Sequence, residues 1–253
     1  MDFKVGDYVT RKSYDNDLVF IITDIKEEAI LKGFDIRLIA TSPLDDLVLC
    51  DDSLRKDEFL DELYKDESEL LDRCEYFYLP PRILHIDSDY DYLDKCLKYY
   101  KNKHIMAYGK CMKESDFIKN ISSLLREYKP DILIITGHDA YYKNKNVYKN
   151  SDYFIQTVKE ARKYENSHER LLIIAGACQS NYEEIIKSGA DFASSPKRVN
   201  IHALDPAIIA SSVALTEKNQ SIDIVELLEK TKYGKDGMGG LKVNGFMYVG
   251  YPR

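Results

Sequence analysis

The sequence predicts an α/β protein: a mostly parallel sheet with helices on both faces, preceded by a small SH3-like β-barrel. Three observations carry this. Asp131-Ile132-Leu133-Ile134-Ile135-Thr136 and Leu171-Leu172-Ile173-Ile174-Ala175 are continuous apolar runs, as strands covered on both faces require. From residue 82 such runs alternate with helical stretches in the order βαβαβαβα, the pattern of a doubly wound sheet. Residues 1–50 carry instead short β-rich runs separated by polar turns.

The elements follow in order. Phe3-Lys4-Val5-Gly6-Asp7-Tyr8-Val9 alternates and turns at Gly6-Asp7, and the runs from Leu18 to Thr23 and from Phe34 to Ala40 are rich in Val, Ile and Leu. Strands this short suggest a small barrel, with docking or a structural cap as its role. Residues 51–79 are dense in Asp, Glu and Lys with Leu and Phe at helical spacing, which reads as an amphipathic connecting helix. Pro80-Pro81 ends it, because proline cannot continue a helix. Residues 80–253 form the α/β domain. Its strands are expected at Ile83–Ile86, His104–Tyr108, Asp131–Thr136 and Leu171–Ala175. Its helices are expected at Tyr90–Tyr100, Ser115–Tyr128, Tyr153–Tyr164 and around Glu183–Lys187.

Composition narrows the function. The 253 residues are 44% hydrophobic and 31% charged, enough for a sizeable core, and the formal net charge of -7 leaves no basic excess for displacing counterions from nucleic acid. The N-terminal segment has no apolar core of a secretory signal, and no apolar run approaches the ~18 residues of a membrane span. A cytosol-like location is expected. The five cysteines, Cys50, Cys74, Cys96, Cys111 and Cys178, are odd in number and form no C-x-x-C pair, which argues against a disulfide framework or a zinc site.

One cysteine has a setting for chemistry. In doubly wound sheets the functional groups sit just past the carboxyl ends of the strands. The third strand of the α/β domain runs into Thr136-Gly137-His138-Asp139 and the fourth into Gly176-Ala177-Cys178-Gln179-Ser180. Neighbouring strands lie about 4.8 Å apart, so a His and a Cys there can meet. An imidazole promotes ionisation of a thiol and returns the proton to a leaving amine. A helix starting just after the Cys would favour both thiolate and oxyanion. Cys178 is therefore the candidate nucleophile and His138 the candidate general base, with no metal or organic cofactor implied. His202, which follows Cys178 in sequence, is the rival base. His85, inside a strand, reads as packed.

Two readings from other classes stand beside the enzyme. Asp87-Ser88-Asp89 after the first strand of the α/β domain resembles the acidic pair of a receiver-like regulatory domain, although Gly137-His138 occupy the place of its phosphate-accepting Asp. A structural protein that keeps the fold without turnover is the other. Lys235 to Gly240 is glycine-rich but lacks a nucleotide-loop ending, and reads as a flexible loop near the cleft.

A buried strand ending in His, followed by one ending in Ala-Cys, resembles the caspase-like cysteine peptidases. DILIITGHDAYY, IIAGACQSNYEEIIKSGADFASSPKRVNIHALDPA, the C-terminal GYPR and the N-terminal VGDYVTRKSY together look like the sporulation-specific peptidase family YabG, across nearly the whole chain. The resemblance implies a caspase-like sheet and a cysteine endopeptidase that processes spore coat or germination proteins. It also implies a location in the mother-cell cytoplasm at the spore coat, and cleavage after basic residues. Asp191 and Asp205 are candidates for the negative charge of a pocket taking such a side chain, Asp205 ahead of Asp191; each alone also fits a cap or turn. Ser194 to Arg198 reads as a basic solvated turn or a self-cleavage site. One departure stands out: the clan usually has Gly after the catalytic His, where its N–H serves the oxyanion hole, and this chain has Asp139. That N–H serves only if the carboxylate points away, and Asp139 is also a candidate for orienting His138.

Overall fold

The structure, a computed structural model, describes residues 3–50, 58–65 and 76–251, in two compact units, residues 1–70 and 71–253. In the first unit, strands β1 (Tyr8–Arg11), β2 (Phe20–Ile25), β3 (Ala29–Gly33), β4 (Ile39–Ser42) and β5 (Leu47–Leu49) form an antiparallel sheet of order β4-β3-β2-β1-β5. Val9, Phe20, Ile22, Ala29, Leu31 and Leu47 fill its core. A register shift between Ile22 and Asp24 bends β2, as a bulge does. Of the expected connecting helix over 51–79, residues Glu58–Lys65 are helical (α1) and most of the rest lies outside the described residues.

The helix does not reach residue 79. Phe77–Leu79 is a strand (β6) paired antiparallel with β15 (Tyr248–Gly250) near the end of the chain. Aromatic residues favour an extended, half-buried backbone, and here they find a partner distant in sequence.

The second unit is built on a six-stranded sheet. Its strands are β7 (Ile83–Asp87), β8 (Ala107–Cys111), β9 (Ile132–Thr136), β12 (Leu172–Ala175), β13 (Phe192–Ser194) and β14 (Met238–Gly240), in the order β14-β13-β12-β9-β7-β8. All pairings are parallel except β13 with β14. The strand expected from His104 starts later because His104 sits at φ 56°, in the turn after the preceding helix. A small hairpin, β10 (Tyr141–Tyr142) with β11 (Val147–Tyr148), follows β9.

Alternation along the strands decides what lies on each face. Leu84, Ile86, Leu133, Ile135, Ile173 and Ala175 join Phe117, Ile121 and Leu125 of α3 (Glu114–Tyr128) and Phe154 and Val158 of α4 (Ser151–Tyr164) in one core, which Ile185 of α5 (Tyr182–Lys187) completes. The other face takes α2 (Tyr90–Asn102) and α6 (Asp205–Leu215). Nearly every residue of α6 is buried, as befits a helix apolar all round. Two short helices, α7 (Ile224–Glu229) and α8 (Gly234–Gly237), lead to β14. The glycine-rich segment 235–240 is therefore ordered structure and not a flexible loop. Gly240 needs its bare backbone there: a Cβ would stand 2.4 Å from the Asp191 carbonyl oxygen and from the Phe192 ring.

Strand order reverses at β7, with β8 on one side and β9 on the other. That opens the crevice of a doubly wound fold at the carboxyl ends of β7 and β9.

Candidate active site

Sheet register brings the two candidate groups to one edge. β12 pairs with β9 as Leu172 with Ile132 through Ala175 with Ile135, a constant offset of forty positions, and the Gly176 N–H still donates to the Ile135 carbonyl at 3.0 Å. Carried past the paired residues, the same offset joins 138 to 178.

His138 is held on several sides. Its Nε2 lies 3.1 Å from Asp89 Oδ2, its ring is tilted against Tyr92 at 5.7 Å, its N–H donates to Glu114 Oε1 at 3.0 Å, and its carbonyl accepts from Asn150 at 2.7 Å. Gly137 lets the chain pass: a Cβ there would lie 2.6 Å from Ser88 Oγ and 2.9 Å from Glu114 Oε1. A carboxylate only accepts, so the neutral ring carries its proton on Nε2 and its lone pair on Nδ1. That Nδ1 is buried and has no hydrogen-bond partner.

Cys178 is fully buried. Its Sγ accepts the Ile201 N–H at 3.3 Å and donates to the Ile201 carbonyl at 3.9 Å. An N–H aimed at sulfur favours the thiolate. With Nδ1 unpartnered, no hydrogen bond joins the thiol to His138 in this conformation. The helix expected just past Cys178 begins only at Tyr182, and the Asn181 side chain already caps it, so the donor next to the sulfur is the Ile201 N–H instead. Gln179, at φ 58°, makes the turn between them.

A strap over 195–201 covers this turn. The Gln179 N–H donates to Ser195 Oγ at 2.9 Å and to the Val199 carbonyl at 3.3 Å. Ser195 and Arg198 both sit at positive φ, 68° and 54°. Arg198 donates to Tyr148 Oη at 2.8 Å and Glu183 Oε2 at 3.1 Å, so it is engaged and is not a solvated turn residue.

The Asp139 carboxylate turns away from the crevice. Oδ1 accepts the N–H groups of Ala140 at 2.8 Å and Asn150 at 2.7 Å, and Oδ2 accepts the hydroxyls of Ser180, at 3.1 Å, and Ser151. Ser180 Oγ in turn accepts the Ala177 N–H at 2.9 Å, and Ser151 Oγ the Asn181 N–H at 2.8 Å. One carboxylate thus ties the loop after β9 to the loop after β12 and to the start of α4. Burial pushes its pKa up, against the hydrogen bonds. It is Asp89 and not Asp139 whose carboxylate meets the His138 ring. Among the described residues the Asp139 N–H itself makes no hydrogen bond.

The remaining candidates fall into place. Asp205 is fully buried at the start of α6, its oxygens accepting the N–H groups of His202 at 2.8 Å and Lys232 at 2.9 Å, and burial raises its pKa. His202 is buried beside the residue that covers the thiol, and its Nδ1 accepts the Leu204 N–H at 3.1 Å. Asp191 lies at the opposite end of the sheet, bonded to Arg162 at 2.7 Å, His168 at 2.5 Å and the Ile173 N–H at 2.6 Å, which leaves it no part in a pocket at the carboxyl edge. No group of three His, Cys, Asp or Glu among the described residues is arranged to hold a metal ion. Sequence reasoning missed Ile201 and read Asp89 only as one of an acidic pair, not as a neighbour of His138. The only signal for Asp89 was its place just past β7, at the point where strand order reverses.

Comparison with known proteins shows the family. The family model described as YabG peptidase U57 matches residues 4–252. The sporulation-specific protease YabG of Bacillus subtilis (strain 168) is 39% identical over 290 residues, covering 100% of this chain and 99% of that protein. No solved structure matches. The chain belongs to the YabG peptidase family.

Proposed function

We propose that the protein is a cysteine endopeptidase of sporulation, with Cys178 as nucleophile and His138 as general base acting through Nδ1. The observation that carries this is the buried, unpartnered Nδ1 at the end of β9, in register with the thiol at the end of β12. Catalytic hydrogen bonds are often long before substrate binds, so an unmade bond here accords with the assignment. The proton of Cys178 passes to Nδ1 and the thiolate attacks the peptide carbonyl. The oxyanion takes the Asp139 N–H as donor. Breakdown expels the amine, which leaves with the proton from Nδ1. Water, deprotonated by the same nitrogen, then hydrolyses the thioester and restores the thiol. Because Cys178 is enclosed, the 195–201 strap shifts to admit substrate.

The substrates in this reading are spore coat or germination proteins, met in the mother-cell cytoplasm at the coat. Cleavage follows basic residues, and Asp205 supplies the negative charge that favours them once the strap is displaced. The test makes Cys178→Ala, His138→Ala and His202→Ala separately and follows cleavage of coat protein extract by mass spectrometry. Loss of turnover in the first two, with folding intact, supports the assignment. Unchanged cleavage in either sinks it, and loss in His202→Ala with activity kept in His138→Ala transfers the base to His202. Asp205→Asn is expected to raise KM for peptides with Lys or Arg before the scissile bond; an unchanged preference removes Asp205 from the pocket.

A further inference from the structure

Beneath the crevice lies a buried polar chain that the steps above do not use. Tyr100 Oη is 3.0 Å from His85 Nδ1, His85 Nε2 is 2.8 Å from Thr136 Oγ1, and Thr136 Oγ1 donates to Asp87 Oδ2 at 2.7 Å. All four residues are fully buried. With His85 neutral the protons have one consistent arrangement. Thr136 gives its proton to Asp87, so its oxygen accepts from His85 Nε2–H, and His85 Nδ1 accepts from Tyr100. The chain ends on the Asp87 carboxylate, whose Oδ1 accepts the Asp89 N–H at 2.9 Å.

Asp89 divides its own carboxylate. Oδ1 caps α2, accepting the N–H groups of Asp91 at 3.0 Å and Tyr92 at 3.4 Å. Oδ2 faces His138 Nε2. Tyr92, which Asp89 caps, packs against the same imidazole. The Asp89 side chain is thus anchored by a helix start on one oxygen and by Asp87 through its backbone, and the other oxygen is directed at the ring.

We infer that Asp89 is the positioning residue of the site: it holds His138 with the proton on Nε2 and the lone pair on Nδ1, and the buried Tyr100–His85–Thr136–Asp87 chain fixes Asp89 in place. The inference rests on His138 being the base. It extends the pair to a Cys–His–Asp set whose third member stands just past the end of β7, the strand next to β9 on the side away from β12. Two further carboxylates meet the His138 segment: Glu114 on its N–H, and the adjacent Asp139, whose carboxylate is taken up by Ser151 and Ser180.

The decisive variant is Asp89→Ser in the full chain. Serine is a good N-cap and keeps α2, but it removes the carboxylate from the imidazole. The expected result is a fall in kcat of at least about 10-fold and up to about 10⁴-fold, the loss that follows removal of an orienting carboxylate from a catalytic triad, with KM little changed. In ¹⁵N spectra of the imidazoles, the His138 ring is expected to pass from a single Nε2–H tautomer to a mixture. Asp89→Ala, which also loses the cap, separates the two roles: it is less stable than Asp89→Ser in urea but no slower in kcat. Wild-type kcat and tautomer in Asp89→Ser overturn the inference. If His138→Ala itself keeps activity, the underlying assignment fails instead.

Discussion

The two ends of the six-stranded sheet each bury a carboxylate, and the partners of the two differ in kind. At the amino end, Asp191 is bound by the Arg162 guanidinium, His168 and one backbone N–H. At the carboxyl end, Asp139 is bound by two hydroxyls and two backbone N–H groups, all neutral. Burial raises the pKa of both. Buried charge therefore does not distinguish the two ends; what the charge connects does. Asp191 closes a local ion pair that locks α4 to the edge of the sheet. Asp139 joins the segments that carry His138 and Cys178.

The largest expected effect tests the amino end. Asp191→Ala leaves Arg162 half-buried without its counter-charge and should cost about 3–5 kcal/mol in urea unfolding. Turnover per folded molecule should stay at the wild-type level, and a tenfold loss of kcat would erase the distinction drawn above. At the carboxyl end, Asp139→Ala deprives Ser151, Ser180 and Asn150 of their acceptor. The expected cost is about 2–3 kcal/mol, accompanied by a fall in kcat that Asp191→Ala lacks. Full activity in this variant would mean that the two loops hold their places unaided.

Thr136→Val keeps the shape of the strand end but leaves the His85 donor and Asp87 acceptor facing a methyl group. A loss of about 1–2 kcal/mol is expected by the same measurement, with a kcat loss smaller than that of Asp89→Ser. The smallest effect is in pH. Because burial raises the folded pKa of Asp139, the native state holds that proton more tightly than the unfolded chain, whose value is about 3.9. The stability this group contributes is complete below about pH 3.9 and is lost as pH rises through the folded value. The stability of wild type relative to Asp139→Asn should therefore decline on going upward from about pH 4. A gap that grows with pH in urea titrations would show the hydrogen bonds outweighing burial.

Legibility in the sequence followed the range of the interactions. The runs of β9 and β12 were readable because a strand covered on both faces has no polar residue to disguise it. The placing of His138 and Cys178 just past the ends of neighbouring strands was readable from where the two apolar runs stop. Phe77–Leu79 was misread because the charge pattern before it continues smoothly, while its partner Tyr248–Gly250 lies at the other end of the chain. Asp89 became visible only with the strand order, since β8 had to take the outer edge for β7 to lie against β9. The place of Asp139 depended on Ser151 and Ser180, two ordinary residues whose hydroxyls meet only after the loops have folded. Cys178 was found as a candidate, but its enclosure by Ile201 depends on a strap with no local signature beyond a proline and two basic residues.

The constant offset between β9 and β12 also bears on how such a chain can change over time. The separation of His138 and Cys178 is set by hydrogen-bonded pairing and not by the number of residues between them. The tip of the hairpin at Lys143–Asn146 is exposed and lies within that stretch. Residues can be inserted or removed there without displacing either group, so this tip is where new recognition segments can be grafted while the two strand ends stay fixed.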